Sequence, residues 1–207
     1  EKLVYGGLTK VFAGIVIAPI GGLIVGLLLT GLIITVFANR KPAPVNKIFG
    51  RLQIISSAWF ALTHGANDGQ KTMGIIALIL FSAGMIPELD IPLWVIFAAA
   101  AAMGLGTFFG GYKVIKTLGV KITRLRPYQG FAAETGGGLM LAAFAILGIP
   151  ASTTHAITGT IMGSGAARRK RAVRWNVSRQ IVFSWIITIP GAAGMGIGFT
   201  YLIHLFV

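Results

Sequence analysis

Cysteine is absent from this sequence, and only five of its residues are acidic. Without cysteine there can be no disulfide and no thiolate metal site. Charged residues make up 11% of the chain, against about 25% in soluble domains, and 55% of it is hydrophobic. A soluble chain of 207 residues would have a single core, covering too small a share of that apolar surface. Lipid is the solvent that suits such a composition. The apolar runs have the length of membrane helices, about 17–25 residues, and lack the strict alternation of barrel strands. The expected fold is therefore all-α, a polytopic transmembrane helical bundle forming a single transmembrane domain over residues 1–207. The chain begins at Glu1 with no methionine and no visible cleavable signal peptide, so it reads as a fragment of a longer protein.

What is abundant is positive charge, a formal net +13. Nucleic acid is not the expected partner, because the basic residues form short clusters between apolar spans instead of lining one amphipathic face. Lysine and arginine distribute in this way on the cytoplasmic loops of membrane proteins. The expected location is the plasma or inner membrane, with the lipid bilayer as the surrounding partner and the basic loops cytoplasmic.

A first span is predicted from about Val11 to Phe37, kinked at Pro19 before Gly21 and Gly22. Arg40, Lys41, Lys47 and Arg51 follow in a loop that Pro42 and Pro44 should keep extended. The next apolar stretch, Leu52 to Ile86, would reach about 50 Å as one helix, against a hydrocarbon core of about 30 Å. It is expected to break into two arms at the polar insert from Thr63 to Lys71. An acidic loop with Glu88 and Asp90 precedes a span from Leu93 to about Gly111. Lys113, Lys116, Lys121, Arg124 and Arg126 form the next basic loop. Gln129 to Leu147 reads as another span, and Ser152 to Ala167 as a second arm, one or both of them short or re-entrant. After the basic run from Arg168 to Arg179, a last span from Ile181 to Val207 is expected to kink at Pro190.

A charged group at the bilayer centre costs at least about 2.5 kcal/mol, so its presence points to function. Asp68, Lys71 and Glu134 are such groups, with His64, Asn67, Gln70, Ser152, Thr153, Thr154 and His155 as polar companions. Ser152, Thr153 and Thr154 stand where a helix should begin, which suits either an anion site or a simple cap. Gly65 and Gly69 would permit unwinding, offering carbonyls to a cation beside Asn67 and Asp68. Lys71 is either the ion-pair partner of Asp68 or an anion ligand. Glu134 belongs to the same set or is hydrogen-bonded within the bundle. The glycines beside it, Gly136–Gly138, suit close helix packing. The histidines are expected to hydrogen-bond locally, since neither shows metal-ligand spacing. An anion site near a carboxylate implies an intervening cation, Na⁺ or H⁺, and no other cofactor.

At these residues the chain resembles a known family. Thr63-His64-Gly65-Ala66-Asn67-Asp68-Gly69-Gln70-Lys71 and Gly148-Ile149-Pro150-Ala151-Ser152-Thr153-Thr154-His155-Ala156-Ile157-Thr158-Gly159 are similar to the paired signatures of the inorganic phosphate transporter (PiT) family, as is Gly130-Phe131-Ala132-Ala133-Glu134-Thr135. The resemblance implies symport of inorganic phosphate with Na⁺ or H⁺ by two inverted repeats. By that likeness Asn67 and Asp68 serve phosphate and cation, and Ser152, Thr153 and Thr154 bind phosphate or coordinate Na⁺. Gln70 and Lys71 are weaker carry-overs to the phosphate site, and Glu134 to the cation site. One copy of each signature is present, so the chain is expected to be the C-terminal repeat, one half of an inverted-repeat transporter whose partner is the N-terminal repeat. A homodimer is one permitted assembly. The alternatives from other classes are an ion channel and an intramembrane enzyme using Asp68, His155 or a Ser/Thr nucleophile; the expectation is that the chain is no enzyme.

Overall fold

The computed structural model describes residues 5–206, all of its regular elements helical. The helices are α1 (Tyr5–Val36), α2 (Pro42–Ser82), α3 (Leu93–Lys116), α4 (Pro127–Ile146), α5 (Thr153–Arg168) and α6 (Trp175–Phe206). A π-helical segment, Thr117–Ile122, follows α3, and a short 3₁₀ turn, Lys170–Ala172, follows α5. The chain divides into two compact units, Glu1–Val173 and Arg174–Val207. Residues 1–4 and Val207, the last residue of the expected final span, lie outside the described residues.

Among the described residues, three helices are long and apolar enough to cross a membrane, over Thr9–Val36, Leu93–Tyr112 and Trp175–Leu205. The large side chains of α3, among them Phe97, Phe108 and Phe109, are exposed, as expected where lipid is the solvent. In the second unit, α6 is one uninterrupted helix that continues through Pro190.

In the first unit α1 packs on α5 and α4, while α2 packs on α4 and α3. The α1–α5 seam is set by missing side chains. A Cβ on Gly22 or Gly26 of α1 would meet backbone atoms of Ala156 and Thr160 in α5. Conversely, a Cβ on Gly159 or Gly163 would meet the backbone of α1 at Pro19 and Leu23. Both helices thus carry small residues four apart, on one helical face, so the main chains can touch. Pro19 sits in this seam without breaking α1. Its missing N–H releases the Ile15 carbonyl four residues earlier, and His155 from α5 hydrogen-bonds the Ile15 backbone.

The glycine run of α4 does pack closely. Gly136 faces Val25 and Leu29 of α1, and Gly137 and Gly138 face Phe60 and Trp59 of α2. The buried core, formed by Ala18, Leu141, Phe144, Ala151 and Ala156, lies where α1, α4 and α5 meet. At its end α4 stops on Gly148, whose φ of 60° suits glycine. There the Gly148 and Ile149 N–H groups bond back to Ala145 and Phe144, closing a Schellman turn. Pro150 then prevents resumption of the helix until the Ser152 cap.

The structure departs from three expectations. Helix α2 does not break at the polar insert: it runs unbroken for 41 residues, about 61 Å. The insert's polar groups are satisfied along the helix itself. Thr63 Oγ1 donates to the Trp59 and Phe60 carbonyls, Asn67 Nδ2 to the Thr63 carbonyl, and Asp68 pairs with His64 and Lys71. Nothing is gained by unwinding, so the freed carbonyls expected for a cation are absent. Nor do Pro42 and Pro44 keep a loop extended. They occupy the first turn of α2, where proline is tolerated, and Lys47 and Arg51 are helical. Lys113 and Lys116 likewise belong to α3.

Gly163→Ala tests the seam, because its Cβ would fall on the Leu23 carbonyl with the Leu27 nitrogen only 2.8 Å away. Overpacking of this kind costs about 1–3 kcal/mol. Gly65, inside α2, has nothing within 4 Å of its Cβ position, so Gly65→Ala should gain roughly 1 kcal/mol of helix propensity. Thermal unfolding in detergent should put the Gly163→Ala midpoint below wild type and Gly65→Ala at or above it. Equal midpoints for all three would sink the seam as a stability determinant.

Candidate functional site

Helix α2 presents His64, Asp68 and Lys71 on one face, at spacings of four and three residues. The Asp68 carboxylate is the hub. Its Oδ2 lies 3.0 Å from His64 Nε2 and accepts a 2.9 Å bond from Thr153 Oγ1. Its Oδ1 lies 3.0 Å from Lys71 Nζ. Lys71 in turn donates to the Ala151 carbonyl at 2.8 Å, tying α2 to the turn before α5. Thus one carboxylate and one ammonium hold together two segments 80 to 85 residues apart in sequence.

On the other side stands the start of α5. Ser152 is its cap: its Oγ accepts the His155 N–H at 3.3 Å, and its carbonyl accepts from Ala156. The first two amides of the helix, on Thr153 and Thr154, have no intrahelical acceptor. They and the positive end of the helix dipole favour an anion. A cleft of about 330 Å³ opens here, lined by Asp68, Lys71, Pro150, Ala151, Ser152, Thr153 and Thr154, with Val11 and Ile15 of α1. Its wall therefore combines a carboxylate that suits a cation with an ammonium, hydroxyls and amides that suit an anion.

The expected site residues divide into three groups. Asp68, Lys71, Ser152, Thr153 and Thr154 line the cleft. Asn67 and Gln70 do not. Asn67 is buried, and its Nδ2 bonds the Thr63 carbonyl at 2.9 Å and reaches the Leu141 carbonyl of α4 at 3.5 Å. Gln70 is exposed. Glu134 lies elsewhere, in a cluster of its own. It accepts from Ser56 Oγ at 2.6 Å, Ser57 Oγ at 2.9 Å and Gln53 Nε2 at 3.3 Å. Ser56 precedes Asp68 by 12 residues on a continuous helix, about 18 Å along its axis.

Gln53, Ser56 and Ser57 did not emerge from sequence reasoning, although three polar residues in an otherwise apolar stretch were a signal. Gly130 completes that cluster, since any Cβ there would collide with the Gln53 amide. Among the described residues no group of three or more His, Cys, Asp or Glu side chains could hold a metal ion. His64 pairs locally with Asp68, whereas His155 bonds the backbone of Ile15 in α1, far away in sequence.

Comparison with known proteins bears on the chemistry. A profile of the phosphate transporter family matches residues 35–196. A curated protein of Rhizobium meliloti (strain 1021), named "Probable low-affinity inorganic phosphate transporter", is 49% identical over 194 residues, 93% of this chain and 58% of its own length. A protein of the same name from Bacillus subtilis (strain 168) is 39% identical over 193 residues, again 93% of this chain and 58% of its own. The chain thus spans a little over half the length of these relatives. A solved structure titled "The sodium-dependent phosphate transporter" superposes with a TM-score of 0.72 at 26% identity, covering 88% of this chain and 63% of the other. Relatives bearing these names are transporters and permeases, not enzymes. With a family profile matched over most of its length, the chain belongs to the phosphate transporter family.

Proposed function

We infer that this chain is one half of a secondary transporter that carries inorganic phosphate across the membrane together with a cation, Na⁺ or H⁺. The observation that carries the reading is the cleft at the start of α5, where Thr153 bonds Asp68 and Lys71 bonds the Ala151 carbonyl. Phosphate is bound by Lys71, by the Thr153 and Thr154 hydroxyls and by the amides that Ser152 leaves exposed. Asp68 holds the cation. Coupling follows from charge: two like unit charges 4 Å apart repel by about 4 kcal/mol at an effective dielectric of 20. That amounts to roughly a thousandfold in affinity, so phosphate binds well only when a cation neutralises Asp68. Neutralisation also loosens the grip of Asp68 on Lys71 and Thr153, freeing their donors for the anion.

The names of the relatives support phosphate as substrate, and the solved structure's title makes Na⁺ the first cation to test. In this reading Asn67 positions α2 against α4, Gln70 faces away from the cleft, and Glu134 acts from its separate cluster with Gln53, Ser56 and Ser57. Helix α5, at 16 residues and about 24 Å, is too short for a hydrocarbon core of about 30 Å. Helices α4 and α5 act as a re-entrant hairpin, entering and leaving on the basic, cytoplasmic side, with its tip at Asp68. The other half of the site comes from an inverted repeat outside this chain.

The reading is tested by radiolabelled phosphate uptake into proteoliposomes containing the full-length transporter that carries this chain. Uptake should saturate and should follow an inward Na⁺ or H⁺ gradient, and the chain alone should give none. Flux that neither saturates nor responds to a cation gradient would instead indicate a channel.

Substitutions separate the roles. Asp68→Asn should abolish gradient-driven uptake while the protein stays folded by circular dichroism. Thr153→Val removes a hydrogen bond to a charged group and should lower uptake by roughly 10- to 100-fold. Wild-type coupling in Asp68→Asn would remove that carboxylate from the mechanism.

A further inference from the structure

A second cleft lies at the other end of the first unit, at the foot of the hairpin instead of its tip. It encloses about 210 Å³ where the end of α1 meets the starts of α2 and α4, and Arg40, Arg126, Tyr128, Asn46, Ile33 and Phe37 line it. Its volume falls below the roughly 300 Å³ at which pockets for drug-sized ligands begin, so it suits a small headgroup.

Two features favour an anion, and a third calls for a hydrogen-bond donor on it. First, Arg40 and Arg126 share the cleft, and among the described residues the salt bridges involve only Asp68, so neither guanidinium has a carboxylate partner. Second, α2 and α4 both begin here, bringing two positive dipole ends together. Pro42, Pro44 and Pro127 remove several first-turn amides, which leaves the arginines as the main donors. Third, Asn46 Oδ1 is buried without a hydrogen-bond partner in the protein. Buried polar atoms are nearly always paired, so this one calls for a donor from a ligand. A phosphate monoanion, or the hydroxyl of a phosphoester headgroup, supplies both halves. The apolar wall of Ile33 and Phe37 suits the glycerol and first methylenes of a lipid.

We propose that this cleft binds a phosphate group, that of an anionic phospholipid headgroup or free phosphate, through Arg40 and Arg126, with Tyr128 and Asn46 as neutral hydrogen-bonding partners. Basic pockets between membrane helices hold phospholipid headgroups by the same chemistry. The site is separate from the Asp68 cleft and does not depend on the transport reading.

The test titrates the detergent-solubilised full-length transporter with dioctanoyl phosphatidylglycerol, inorganic phosphate or dioctanoylglycerol, and follows thermal midpoint. Wild type is compared with the double variant Arg40→Gln, Arg126→Gln. At about 1 kcal/mol per basic residue, apparent affinity should fall roughly 30-fold in the double variant. A shift with phosphatidylglycerol alone, weakened in the variant, identifies a lipid headgroup site. A weakened shift with inorganic phosphate, whether or not the lipid also acts, identifies a site that free phosphate fills. No shift with either in wild type, an equal shift in both proteins, or dioctanoylglycerol acting as well as the phospholipid would overturn the proposal. If the double variant does not fold, Asn46→Leu is read by the same criteria.

Discussion

Helices α1 and α5 touch main chain to main chain, and the cleft at Asp68 depends on that contact. In lipid, apolar side chains gain little by burial against one another, so helices associate through close packing and hydrogen bonds. Gly22 and Gly26 on one helix and Gly159 and Gly163 on the other remove the side chains that would hold the backbones apart. This docks the first turn of α5 beside Ile15 and close to Asp68. His155 then satisfies the Ile15 backbone that Pro19 leaves without its helical donor. A proline that would weaken an isolated α1 thereby becomes a point of attachment.

The second constraint is the cost of placing charge within the bundle. Asp68 and Glu134 are both acidic residues within the bundle, and each is surrounded by donors: His64, Lys71 and Thr153 for one, Gln53, Ser56 and Ser57 for the other. Glu134 of α4 bonds α2 at Ser56, about 18 Å along that helix from Asp68, so each carboxylate is served by its own donors. Lys71 bridges Asp68 and the Ala151 carbonyl, so the same side chain balances the charge and docks the α4–α5 turn. Family membership sets the context for this geometry, and in the proposed reading the cleft must bring an anion close to a carboxylate.

Much of the fold was legible along the chain. Uninterrupted apolar runs located α1, α3 and α6, the Ser152 cap located the start of α5, and Gly148 with Pro150 located the end of α4. The break predicted in α2 was not found, because sequence shows which residues are polar but not where their hydrogen bonds go. The insert from Thr63 to Lys71 satisfies itself at helical spacings of three and four, and a helix so supplied has no reason to unwind. Asn67 illustrates the same point: its amide nitrogen bonds the Thr63 carbonyl and reaches the Leu141 carbonyl of α4, partners that its position in the motif does not announce.

By itself the sequence determined what depends on composition and local pattern: a membrane-embedded helical chain, the helix ends at Ser152 and Gly148, and the polar residues that lipid would otherwise forbid. Tertiary structure alone decided the partnerships. Asp68 meets Thr153, Lys71 meets Ala151 and Glu134 meets Ser56, across gaps of roughly eighty residues. No local propensity encodes such distances. They follow from how closely the glycine faces let three helices approach, a property of packed surfaces that exists only once the chain has folded.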